Sequence, residues 1–148
     1  MMATDYRRDP LWLRLAFLER EGGPSAAALH RLVERETGWT PDRVRAIIEE
    51  YRRFLFLAMR AGHAVAPPPA IERVWNLHIA HAPNYWEVLS QLITERPVAE
   101  PGRLASASST LASYRAIFAI DAPSEIWSDA PRHGRGPWHG LLERLWRK

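Results

Sequence analysis

From Thr40 onward, apolar residues return every three or four positions: Val44, Ile47, Ile48, Tyr51, Phe54, Leu55 and Ala58, up to Gly62. This 3.6-residue period predicts an amphipathic helix over about 41–61. Thr40 offers a cap, Pro41 suits the first helical position, and Asp42 sits where the helix dipole favours an acid. The opposite face holds Arg43, Arg45, Glu49, Glu50, Arg52 and Arg53 and reads as a solvated surface of weak ion pairs. Upstream, Asp9-Pro10 before Leu11, Leu15 and Leu18, with Gly22-Gly23 behind, predicts a first helix over about 10–21. Ser25 can cap a second helix that carries Leu29, Leu32 and Val33 and stops at Gly38.

Pro67-Pro68-Pro69 is a stiff lead-in to the next periodic stretch, because proline lacks the N–H that a helix interior needs. Val74, Trp75, His78, Ile79 and Ala82 then share one side of a fourth helix. Pro83 kinks or restarts it, and Tyr85, Trp86, Leu89, Leu92 and Ile93 continue the stripe to about Glu95. A proline-rich loop at 96–102 precedes a helix over about 104–119, with Leu104, Leu111, Tyr114, Ile117 and Phe118. Ala122 to Trp127 reads as a turn or short helix that pins Trp127 to the body. Residues 129–137 are rich in glycine, proline and arginine, and Trp138, Leu141, Leu142, Leu145 and Trp146 approximate one face of a last short helix. No period-2 alternation is long enough to argue for a sheet, and no internal repeat is visible. The expected class is therefore all-α: a compact bundle of about five to six helices over 1–128, with a tail over 129–148.

Composition changes this picture in two places. The 148 residues contain no cysteine, which excludes disulfides, thiolate metal sites and a cysteine nucleophile, and is compatible with the cytoplasm. The net charge of +3 is unevenly placed: residues 131–148 carry five cations against Glu143, whereas the preceding 130 residues come to −1. A neutral body with a basic tail disfavours general nucleic-acid binding. No stretch approaches the ~20 apolar residues of a membrane span, so the chain reads as neither secreted nor integral, with peripheral contact through the tail left open.

Candidate chemistry is sparse. His78 and His81 lie three apart on one helix and could approach one metal ion, with Glu72, Asn76 and Tyr85 nearby. Two imidazoles fall short of a zinc-protease helix, and a hydrogen-bonded His78 packed beside Trp75 is the plainer expectation. The serines sit in no nucleophile-elbow pattern, and no glycine-rich phosphate loop is present. The tail, through Trp138, Leu142, Arg144, Leu145, Trp146 and Arg147, can dock on its own domain or be presented to a partner's groove.

Glu50-Tyr51-Arg52-Arg53-Phe54-Leu55-Phe56-Leu57-Ala58, then Ile71 to His78 and Tyr85-Trp86, resemble the bacterial glycine-rich-domain-containing-protein-like family. That group has an E-Y-(K/R)-R-F-L-(Y/F)-L-A helix, then V-D-x-x-W-H-L-H-L-T-x-T-x-x-Y-W, then a loop reading R-P-L-H-H-G-P. The resemblance extends to Thr37-Gly38-Trp39, Thr110 to Tyr114 and Ser124-Glu125-Ile126-Trp127, spanning about residues 10–128. The family histidines resemble a metal or catalytic cluster. Here Asn76 takes the place of the first, Ala99 and Glu100 take the places of the two in the loop, and Ala82 replaces a threonine. Of that set only His78 persists, and Asn and Glu oxygens are poor substitutes for imidazoles at a transition metal. The expectation is a non-catalytic module for protein interaction or assembly, needing no cofactor, with a degenerate pocket of Glu72, Trp75, Asn76, His78, Tyr85 and Glu100. The alternative is a metal-dependent enzyme using Glu72, His78, His81 and Glu100.

Overall fold

A computed structural model describes residues 5–15, 24–61, 65–81, 105–127 and 133–134. The class is all-α. After a 3-10 turn at Tyr6–Arg8 come α1 (Pro10–Arg14), α2 (Pro24–Thr37), α3 (Pro41–Arg60), α4 (Pro69–His81), α5 (Ala107–Phe118) and α6 (Ser124–Trp127). The one extended pairing among the described residues is a two-residue antiparallel ladder, Ala105 opposite Gly134 and Ser106 opposite His133. It takes the first residues of the expected 104–119 helix, so α5 begins at Ala107. The rest of the expected first helix, the stretch after Pro83 and the Trp138–Lys148 segment lie outside the described residues.

Local chemistry sets most helix ends. The Asp9 side chain accepts from the Leu11 N–H at 2.9 Å and Pro10 opens α1. The Thr40 hydroxyl accepts from the Arg43 N–H at 3.2 Å and Pro41 opens α3. Proline at the first position loses nothing, because that N–H has no partner within the helix. The same preference starts α2 at Pro24, one residue ahead of the expected Ser25 cap, and α4 at Pro69, the last residue of the proline run. Gly38 adopts φ +75° just beyond α2, and its N–H donates to the Glu34 carbonyl at 2.9 Å. That left-handed stop suits glycine.

The helix α3 is the axis of the bundle, packing against α2, α4 and α5, while α4 also meets α2 and α6. Residues Phe54 to Met59 are buried in succession, so the C-terminal half of α3 is covered all round rather than on one stripe. Around it lie Leu11, Trp12, Leu15, Leu29, Val33, Ile71, Val74, Trp75, Tyr114, Phe118 and Trp127. One end of this core is aromatic: Tyr6 meets Trp12 edge-on at 4.9 Å and Phe118 at 4.7 Å, and Trp12 meets Phe56 at 5.8 Å. Such edge-to-face pairs add about 0.5–1.5 kcal/mol each beyond area burial. Trp39 differs. It is half-buried, with Arg43 and Arg73 over its ring at 5.4 and 5.8 Å.

Enclosure of the later part of α3 corrects one expectation. Arg43, Arg45 and Glu49 are exposed as a solvated face should be, but Glu50 and Arg52 are buried and Arg53 is half-buried. The segment before and through α1 covers Arg52: its guanidinium lies 3.6 Å from the Trp12 ring centroid and donates to the Trp12 carbonyl at 2.5 Å. The same segment is tied at its other end. Arg60 grips both Asp9 oxygens, at 2.9 and 3.1 Å, and this hydrogen bonding holds the Asp9 carboxyl below its ordinary range. No helix among the described residues is long and apolar enough to cross a membrane.

Candidate functional site

The helix α4 positions the candidate residues by its turn of 100° per residue. Ile71, Val74 and Trp75 are buried against the core, and His78, one turn beyond Trp75, shares their inward side. Asn76 is two residues from His78, close to the opposite side of the helix, and is exposed. Glu72 is half-buried in the first turn. The structure therefore brings Trp75 and His78 together and turns Asn76 away from them. Tyr85, Glu100 and the tail residues Trp138, Leu142, Arg144, Leu145, Trp146 and Arg147 lie outside the described residues, as does the side chain of His81.

His78 reaches across to α3. Its Nδ1 is 3.2 Å from the hydroxyl of Tyr51, which is wholly buried, and the two rings meet edge-on at 5.9 Å. Burial pushes the imidazole down to about 4, so His78 is neutral at physiological pH. In that state one ring nitrogen donates and the other accepts, and the contact with the hydroxyl is a neutral hydrogen bond. Among the described residues no group of three or more His, Asp or Glu side chains is placed to hold a metal ion.

One residue along α3 from Tyr51, and 100° round the helix, lies a polar node that periodicity did not reveal. The Glu50 carboxylate is 2 % exposed. Its Oε1 accepts from the Tyr114 hydroxyl at 2.6 Å and from Trp127 Nε1 at 2.9 Å. Its Oε2 accepts from Arg53 Nη1. Glu49 takes a second nitrogen of that guanidinium at 3.0 Å, at a more exposed position. A buried carboxylate is tolerated only when charge and lone pairs are met, and here one cation and two neutral donors meet them. Tyr114 responds as expected: burial, and then its hydrogen bond to Glu50, push the phenol well above its ordinary range. The node is thus a fixed carboxylate with its donors already in place. It joins α3 to α5 and α6, while Tyr51–His78 joins α3 to α4.

Sequence reasoning missed Glu50, Arg53, Tyr114 and Trp127 as a unit. The available signal was the unbroken apolar run Phe54 to Met59, which a one-sided helix would not carry. Those residues also fall in the stretches that carry the family resemblance: Glu50 and Tyr51 open the first, Tyr114 closes another and Trp127 ends the last. Thr110, from the Tyr114 stretch, is buried and accepts from the Ala66 N–H at 2.9 Å, fixing the approach to the proline run. No protein-family model, curated protein or solved structure matches the chain.

Proposed function

We propose that this chain is a divergent member of the glycine-rich-domain-containing-protein-like family that keeps the family scaffold and serves as a non-catalytic module for protein interaction or assembly. The observation that carries the proposal is the convergence of the resembling stretches on Glu50 and on Tyr51–His78, where their polar groups bind helix to helix. Groups engaged in this way account for the persistence of the scaffold without a reaction. At the positions of the family's other histidines stand Asn76, Ala99 and Glu100. Partner contact falls to the basic, tryptophan-bearing tail, through Trp138, Leu142, Arg144, Leu145, Trp146 and Arg147. A cysteine-free chain of this kind is taken to work in the cytoplasm.

The test compares the full chain with a Trp138→Ala, Trp146→Ala variant by light scattering and by quantitative copurification. The expected result is loss of a specific associated protein, or of self-association, in the variant. Identical behaviour of the two proteins removes the tail from the proposal. Elemental analysis of untagged protein addresses the metal-dependent alternative: one ion per chain, lost on His78→Ala, would replace the interaction module with that enzyme class.

A further inference from the structure

The outward side of α5 carries an apolar stripe beside the exposed Ser108 and Ser109. Leu111 is 37 % exposed and Ile120, just past the helix, 48 %. Between them Ala112 and Ala116 are exposed, with Arg115 the one charged side chain in the helix. The opposite side holds buried Thr110, Tyr114 and Phe118. This outward stripe therefore has no role in the core.

We infer that this face of α5 seats the chain's own C-terminal segment, residues 138–148, through Trp138, Leu141, Leu142 and Leu145. Three observations converge on that occupant. The first is delivery. The ladder pairs Gly134 with Ala105, two residues ahead of α5, so a residue only four positions before Trp138 lies near the start of α5. The pairing is antiparallel, and Gly136-Pro137 supplies a turn that can send the chain back along the helix. The second is length. Eleven residues of tail span about 16 Å as a helix, against about 18 Å for the twelve residues of α5. The third is charge. A tail that starts at the beginning of α5 brings Arg144, Arg147 and Lys148 to its end, where the helix dipole is negative and Glu125 is exposed, as is Asp121, whose carboxylate lies 3.6 Å from Arg115. The reverse direction would put those cations at the positive end.

The inference rests on the proposed function only in its consequence. The apolar side of the tail that would meet a partner is the side that meets α5, so docking and partner binding exclude each other, and a partner must displace the tail.

The absence of native cysteine makes a direct test clean. Ala112→Cys with Leu141→Cys should form a disulfide within the monomer under mild oxidation, several-fold faster than a control pair of Ala46→Cys, on the exposed side of α3, with Leu141→Cys. Equal rates, or crosslinking mainly between molecules, overturn the inference; the latter assigns the face to a second copy. Tryptic cleavage after Arg144 is an independent reading. Leu111→Asp with Ile120→Asp, both at exposed positions, should speed it several-fold, and an unchanged rate counts against docking. Failure of the partner proposal looks different: the disulfide forms, but the Trp138→Ala, Trp146→Ala variant associates as the full chain does.

Discussion

Glu50 shows how much of this molecule depends on single side chains. Three donors from three elements end on one carboxylate, so the loss of any one changes a closed network. Tyr114→Phe removes one hydrogen bond to a charged acceptor at constant shape and should cost about 1.5–3 kcal/mol. Glu50→Ala leaves the Arg53 Nη1 and two buried neutral donors without their acceptor, with Arg53 held by Glu49 alone, and should cost about 3–5 kcal/mol. Urea unfolding at constant m-value checks both; Glu50→Ala milder than Tyr114→Phe would contradict the node. His78 governs a different property, acid sensitivity. Its folded-state value of about 4 lies below the unfolded 6.5, so between these limits the unfolded chain takes up the proton and the folded one does not. The associated stability is full above pH 6.5 and falls as the pH drops to about 4, by on the order of 3 kcal/mol. Asp9, lowered chiefly by Arg60, extends the loss below the ordinary carboxylate value of 3.8. A His78→Gln chain should lose the slope between pH 6.5 and 4 and keep the acid limb below it.

At the scale of elements, helix ends are the sensitive points, and two of them make opposite predictions. Gly38 sits at φ +75°, and an added Cβ would meet nothing within 4 Å. Gly38→Ala should therefore be destabilising through backbone strain alone, by about 1 kcal/mol. Ala119 is the converse: a non-glycine residue at φ +59° just past α5, its N–H donating to the Arg115 carbonyl at 2.9 Å. Ala119→Gly relieves the strain at some cost in unfolded-chain entropy, and should gain about 0.5 kcal/mol or raise the melting temperature by a degree or two. Thermal unfolding of the two variants beside the parent is sufficient, and a shift of the same sign in both would refute the shared explanation. These ends were legible beforehand because caps and stops are decided by residues within about one turn: Asp9-Pro10, Thr40-Pro41 and Gly38 act where they stand in the sequence.

For the whole molecule, the position of α3 is decisive. Every other long helix among the described residues either packs on it or on a helix that does. No described part then has a core of its own, and unfolding should be a single transition. Tryptophan fluorescence reports all seven tryptophans, among them the buried Trp12, Trp75 and Trp127 of three elements, and far-ultraviolet dichroism reports helix; their urea curves should coincide. Separated midpoints would mean that part of the bundle unfolds independently. The sequence by itself determined the all-α class, the existence of these helices and most of their ends, since periodicity and capping are local. It also marked Trp127 as an anchor and His78 as facing inward beside Trp75. Only the tertiary structure decided that Glu50 and Arg52 are interior while Glu49 and Arg45 are not. The partners responsible lie 64, 77 and 40 positions away in the chain, at Tyr114, Trp127 and Trp12. A helical period states which residues share a side, but whether a charged side meets water or a waiting set of donors is settled by what packs against it.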